Sequence, residues 1–459
     1  MTELSSNHRA FLQQLFPATD CLVTPEEMVV FEADASRLEG TPLAVVRPET
    51  EEQIIELMRW AHTERIPIYP RARATNVVGL CVPKQPGIVV STLKMDAILE
   101  VDADDFIARV EPGVVTGDLQ KRVEEEGLFY PPDPASLGIS TIGGNVATCA
   151  GGMRALKYGV TREWVLGCRA VLPGGKVITC GGRNHKNVVG LDLLRLLTGS
   201  EGTLAFMSEI TLKLMPKPEA TASVLAGFAN LEEALQAIKV MFRAGMLPTA
   251  LEFMGPEVLQ ALEHVEVVPW PATVTAALLL RFDGSPQALK ADTDKAQKIF
   301  ASCNVQWSKT GIGKQEEEKL WDVRRSINPA SFKVAPNKFS DDITVPRGKL
   351  LEAITGIKKI GAEHSLPILT FGHVGDGNIH VNIMHDASDA EELARAKKAK
   401  SAISKFVLSL RGTLSGEHGV GLVKAPYIHM QLSETERSLM HQIKHVFDPH
   451  SIMNPGKSF

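Results

Sequence analysis

The nine residues Gly372-His373-Val374-Gly375-Asp376-Gly377-Asn378-Ile379-His380 can fold in few ways. Gly and Asn tolerate positive φ, so Gly375 to Asn378 has the chemistry of a tight turn between two strands. Such a turn sets Val374 opposite Ile379 and His373 opposite His380, with Cβ atoms about 5 Å apart on one face of the ladder. Asn382 follows His380 at the strand period of two and shares that face. Further on, Gly416-Glu417-His418-Gly419 supplies a carboxylate and a third imidazole, flanked by glycines that allow close backbone approach. His373, His380 and Glu417 are therefore candidate ligands of a divalent cation, and three protein ligands leave one coordination position open to substrate. Hydrogen-bonded core histidines are the plainer alternative, but a shared face and a Glu-His pair between glycines favour the metal. His385 and His429 have no comparable context and read as structural or surface residues.

At 459 residues the chain is about three times a typical domain length, so two or more domains are expected. Its net charge of −5 carries no basic block, which argues against nucleic acid as a partner. Six cysteines without a C-x-x-C fit a reducing compartment and provide no iron–sulfur site. Met1-Thr2-Glu3-Leu4 lacks the basic and apolar regions of a secretory leader, and no apolar run reaches membrane-spanning length. The expected location is cytoplasmic, or peripheral at the inner face of a membrane.

Residues 1–35 read as a helical lead. An α/β alternation follows: a strand at Leu43-Ala44-Val45-Val46, a helix opened by Thr50-Glu51-Glu52-Gln53 with an apolar face of Ile54, Ile55, Met58 and Ala61, and a strand from Ile66 to Tyr69. Ile88-Val89-Val90 and Ala108-Arg109-Val110 are further strands, and Thr116 to Glu126 is a helix. From Pro131 to Gly159 the chain is rich in Gly, Pro and Ser with little periodicity, the character of a long binding segment. Within it Ser140-Thr141-Ile142-Gly143-Gly144-Asn145 and Gly151-Gly152 offer backbone N–H groups to an anion. Neither G-x-G-x-x-G nor a P-loop occurs. Beyond Pro216-Lys217-Pro218 come helices at 230–244, 286–300, 315–327, 347–364 and 390–410, with strands at 274–280 and around Ile343. Trp321-Asp322-Val323-Arg324-Arg325 lies on one of these helices, where Arg324 suits a carboxylate partner, although on the residues alone a surface or interdomain salt bridge is the better reading; Lys338 has the same ambiguity.

Taken together, these segments resemble the FAD-linked D-2-hydroxy acid dehydrogenases among the vanillyl-alcohol-oxidase-like flavoproteins. The carriers are Pro132-Asp133-Pro134, Ile142-Gly143-Gly144-Asn145, Leu156-Lys157-Tyr158-Gly159, Thr198 to Thr203, the His373 and Glu417 motifs, Phe447-Asp448-Pro449 and Asn454-Pro455-Gly456-Lys457. The resemblance implies an α+β fold: a two-subdomain FAD-binding domain over 36–217, and an α+β cap with an antiparallel sheet over 218–415. A C-terminal segment, 416–459, would return to the first domain. It implies pyrophosphate binding by the Pro70–Gly79 loop, with Arg71, Arg73 and Thr75, and by Thr141, Gly143, Gly144 and Asn145. Pro134, Ser136, Gly202 and Phe206 would lie near the isoalloxazine, with Gly151, Tyr158, Glu201 and Asn454 also on the cofactor. The loop departs from the family's Pro-Arg-Gly-x-Gly-Thr, reading Pro70-Arg71-Ala72-Arg73-Ala74-Thr75, and Arg73 is expected to compensate by pairing with the pyrophosphate.

The implied chemistry is oxidation of a small D-2-hydroxy acid, D-lactate preferred, to its 2-oxo acid. Glycolate and D-2-hydroxyglutarate are the alternatives. A divalent metal, zinc preferred, would bind the substrate hydroxyl. His418 would act as base, and Arg324, with Lys338 second, would hold the carboxylate. Electrons would leave to an iron–sulfur subunit, an electron-transferring flavoprotein, a cytochrome or a quinone.

Overall fold

The computed structural model describes residues 3–265 and 269–458. The chain divides into two compact units: Met1–Gly152, Gly159–Lys217 and Glu417–Phe459 form the first, Met153–Tyr158 and Pro218–Gly416 the second.

In the first unit a four-stranded sheet runs in the order Cys21–Leu22, Ala44–Val46, Ile88–Ser91, Ile68–Arg71, the last three strands parallel. Parallel strands are covered on both faces, which is why Ile88-Val89-Val90 is an unbroken apolar run. Ile88 and Val90 enter one core while Val89 packs with Val45 and Tyr69 on the opposite side. Helix Glu51–Glu64 starts where the Thr50 hydroxyl accepts the Gln53 N–H and stops at Arg65, φ 54°. It buries Ile54, Leu57, Met58 and Ala61, while Ile55 is only partly covered. In the N-terminal lead a helix spans Ser6–Leu15; Leu12 and Phe16 join the same core and Cys21–Leu22 joins the sheet. A second sheet of this unit is antiparallel, ordered Ile98–Asp102, Ile107–Val110, Phe206–Lys213, Val165–Val171, Val177–Gly181.

The glycine-rich stretch from Pro131 to Gly159 is less irregular than its composition suggests. Ile142–Thr148 is helical, capped by the Thr141 hydroxyl, which accepts the Gly144 N–H at 3.3 Å, and a further turn of helix spans Ala155–Tyr158. Glycine costs about 1 kcal/mol in a helix, so local propensity hides this element. Packing overrides it, because a Cβ at Gly143 would lie 2.5 Å from Pro112 Cβ.

The second unit is built on a seven-stranded antiparallel sheet, ordered Trp307–Ile312, Ala220–Phe228, Ala276–Gly284, Ala250–Met254, Ile368–Gly372, Asn378–His385, Asn337–Thr344. Both faces are covered. Ala276, Leu278 and Leu280 enter one core and Ala277 and Leu279 the other. The hairpin at its end has a wider turn than the sequence suggests: Phe371, not His373, pairs with His380. Gly372, at φ +140°, ends the first strand, so His373 opens the turn and its carbonyl accepts the Asn378 N–H at 3.2 Å. Gly377 is needed by its neighbour as well as by the turn, since a Cβ there would lie 2.2 Å from the Val345 carbonyl oxygen. No helix among the described residues is long and apolar enough to cross a membrane.

Candidate active site

Strand Ala250–Met254 runs beside Ile368–Gly372 and carries Glu252 with no solvent exposure. A charge inside an apolar strand must be paired. The Glu252 carboxylate accepts His373 Nδ1 at 2.5 Å and Arg324 Nε at 2.6 Å. Burial pushes its pKa up, but the charges and hydrogen bonds of His373 and Arg324 outweigh that and hold it near about 2. Because the ionised carboxylate can only accept, His373 carries a proton on Nδ1, so that in the neutral ring the lone pair is on Nε2. That Nε2 lies 3.4 Å from His380 Nε2, with the two rings at 85°. Two imidazole nitrogens about 2.0–2.1 Å from a common zinc ion and 3.4 Å apart subtend about 110°, close to a tetrahedral angle. The two imidazoles meet, but across the turn and not as opposed residues of one ladder face.

Asp342, paired with His380 across the ladder, accepts the Asn378 side-chain amide and the Gly416 N–H, the latter at 2.9 Å. It thereby fixes the backbone one residue before Glu417. Asn382 is buried and its amide nitrogen has no partner among the described residues. Arg324 stands over the Phe371 ring at 4.9 Å, and its terminal nitrogens have no described partner, so they remain available to an anion.

The first unit contains a cavity lined by the 70–77 loop, the start of helix Ile142–Thr148, Pro134, Ser136, Gly202 and Phe206, with Glu417 and His418 at its wall. Arg73 and Thr75 line it, as do Gly144 and Gly151, and the exposed Arg73 side chain has no described partner. The Thr92 hydroxyl, buried and unpartnered, also faces it. A cation, open backbone at a helix start and an orphaned hydroxyl, together with an apolar surface of Phe206, Met207 and Leu80, suit a dinucleotide with a charged middle and flat rings. These residues fit FAD.

Several predicted side chains that line this cavity also make hydrogen bonds within the protein. Arg71 donates to the Val30 and Phe31 carbonyls at 2.9 and 3.3 Å. The Asn145 amide donates to the Thr116 hydroxyl at 2.7 Å. Glu201 accepts the Val420 and Gly421 N–H groups, and the Asn454 amide donates to the Glu201 carbonyl at 2.7 Å. Two further predicted side chains have partners within the second unit. Tyr158 belongs to the second unit and is not among the lining residues; its hydroxyl donates to Asp283 at 2.8 Å. Lys338 donates to Asn328 Oδ1 at 2.6 Å and Ser331 Oγ at 3.2 Å. It sits four residues along the strand from Asp342, about 13 Å at the usual rise. Glu252 and Asp342 went unnoticed in the sequence, although acids inside apolar strands were the available signal.

Ala74 takes φ 53°, the left-handed conformation that its family's glycine adopts freely. The strain costs about 1–2 kcal/mol, against about 0.4–1 kcal/mol for the extra chain entropy of glycine. Ala74→Gly is thus expected to stabilise the protein by up to about 1 kcal/mol. Thermal unfolding checks this, and a lower Tm would count against it.

A cavity suited to a dinucleotide in one unit and a two-faced antiparallel sheet in the other accord with a flavoprotein of α+β fold. Family comparison agrees: the family described as FAD linked oxidases, C-terminal domain, matches residues 217–458, and the FAD binding domain family matches 42–181. The chain belongs to the FAD-linked oxidase family, as an oxidoreductase of the D-lactate dehydrogenase and glycolate oxidase type. It is 38% identical to the glycolate oxidase subunit GlcD of Bacillus subtilis (strain 168), covering 94% of this chain and 92% of that one. It is 33% identical to a D-lactate dehydrogenase of Anaerostipes hadrus, over 95% and 92%. Among solved structures, p-cresol methylhydroxylase with substrate bound superposes with a TM-score of 0.79 at 17% identity, over 98% of this chain and 96% of that one, a likeness of fold alone.

Proposed function

We propose that this chain is the flavoprotein of a system that oxidises glycolate to its 2-oxo acid, with D-lactate second and D-2-hydroxyglutarate third. The sequence reading prefers D-lactate; the 38% identity to a glycolate oxidase subunit moves the preference. A methyl pocket separates the first two by only about 1–3 kcal/mol. The paired imidazoles of His373 and His380, the first anchored by the buried Glu252, are the observation that carries the reading.

The terminal donors of Arg324 clamp the substrate carboxylate, and the Asn382 amide offers a further hydrogen bond. His373 Nε2, His380 Nε2 and Glu417 would hold a divalent metal, zinc preferred, which lowers the pKa of a coordinated hydroxyl. His418 takes the hydroxyl proton. FAD, when bound, supplies the acceptor of the Cα hydride. Carboxylate and hydroxyl held together orient the Cα–H, an effect of proximity. Because the sequence carries no iron–sulfur motif, the electrons pass to a separate protein or quinone; the Bacillus relative is itself named as a subunit.

The test is a dye-coupled assay of the purified yellow protein with glycolate, D-lactate, L-lactate and D-2-hydroxyglutarate. Glycolate should give the highest kcat/KM, and chelator dialysis should abolish turnover until zinc or manganese is restored. A tenfold preference for another acid would displace the substrate assignment, and full activity after complete metal removal would displace the mechanism.

Arg73 supplies the cation that the loop's alanines do not replace. A hydrogen bond from a charged group is worth about 1.5–3 kcal/mol, so Arg73→Ala should weaken FAD binding about 10–100-fold. Stoichiometric flavin after gel filtration of the variant at low concentration would refute this.

A further inference from the structure

Cys168 and Cys180 take no part in the chemistry above, yet the fold sets them face to face. They lie on the adjacent antiparallel strands Val165–Val171 and Val177–Gly181 as direct cross-strand partners. The hydrogen bonds Gly182 N–H to Leu166 O, 3.0 Å, and Leu172 N–H to Lys176 O, 2.8 Å, set the phase of this ladder. By that phase Cys168 and Cys180 form a hydrogen-bonded pair, for which Cα atoms stand about 5.5 Å apart. This falls within the roughly 4.4–6.8 Å span over which two cysteines can be bridged without moving the backbone. Both residues are buried and both are thiols.

We infer that Cys168 and Cys180 form a peroxide-sensitive dithiol that closes reversibly into a cross-strand disulfide. Cys180 is on the edge strand of its sheet, and its partner can donate an S–H to it. That hydrogen bond lowers the Cys180 pKa against the opposing effect of burial, and raises that of Cys168 together with burial. Cys180, the member on the edge strand, is assigned as the attacking thiolate. It displaces hydroxide from hydrogen peroxide and becomes a sulfenic acid; the Cys168 sulfur then attacks the Cys180 sulfur, and water leaves. Two thiols and one peroxide give one disulfide and two waters, the dithiol losing two electrons and two protons. Closure ties the edge strand to Val165–Val171, whose other neighbour, Phe206–Lys213, carries Phe206 and Met207 of the cavity wall.

The experiment exposes the FAD-loaded protein to hydrogen peroxide, alkylates it in denaturant without reductant, and maps the peptides by mass. A Cys168–Cys180 linked peptide two hydrogens lighter than the reduced pair should appear, with at least a tenfold loss of alkylation at both positions that dithiothreitol reverses. Cys303 should remain alkylated. Cys168→Ser should instead accumulate a Cys180 sulfenic acid labelled by dimedone. If Cys168 and Cys180 stay fully alkylatable while Cys149 is oxidised, or if each is oxidised singly without linkage, the inference fails; this mapping on the unmodified protein decides even if the serine variant does not fold.

Discussion

Replacing Glu252 with glutamine is expected to weaken metal retention about 10–100-fold, the usual effect of removing a carboxylate behind a ligating histidine. The carboxylate accepts from two donors at once, His373 Nδ1 and Arg324 Nε. A glutamine has one accepting oxygen, so its NH2 group must face one of those donors. If it faces His373, the imidazole loses the bond that keeps Nε2 free of a proton; if it faces Arg324, the guanidinium loses its anchor. Glu252→Ala goes further and leaves the arginine charge, with only 16% of its side chain exposed, without its partner. Breaking a buried pair in this way costs about 3–5 kcal/mol. Bound metal measured by elemental analysis and stability measured by urea unfolding separate the two effects. If the glutamine variant keeps stoichiometric metal through dialysis that strips nothing from the parent, Glu252 has no role in holding His373.

Gly151→Ala should lower kcat about 100-fold while leaving fold and flavin in place, the scale expected when a reacting group is misplaced by about 1 Å. A Cβ at this position would stand 2.6 Å from Glu417 Oε2 and 2.9 Å from Glu417 Cβ. The carboxylate tip can rotate away, but the Cβ contact is set by backbone, so residue 417 must move as a whole. Its carboxylate oxygens are then displaced with it. Gly138→Ala, where an added Cβ meets nothing within 4 Å, is the matching control. Unchanged kcat and metal content in the Gly151 variant, with the control also silent, would mean that Glu417 is not a ligand.

Much of the site is legible in the chain because its chemistry is local. The six residues between His373 and His380, rich in glycine, can only turn back on themselves, so the imidazoles meet even though Phe371 is the true cross-strand partner of His380. Glu252 is different: it lies 121 positions before His373, and only the placement of Ala250–Met254 beside Ile368–Gly372 joins them. Helix Ile142–Thr148 was hidden for a related reason, since its glycines argue against helix until Pro112 packs on them. Arg71 reads as a phosphate ligand by its motif, yet the nearby Val30 and Phe31 carbonyls claim its guanidinium.

By itself the sequence determined which chemical groups are available, where the chain turns, and which apolar runs must be covered on both faces, because these follow from single residues and their near neighbours. Tertiary structure alone decided which carboxylate steadies His373, which nitrogen of that ring stays open, and which cysteines face each other. Those outcomes follow from strand order and register across long stretches of chain, where a buried charge or lone pair has to find its partner.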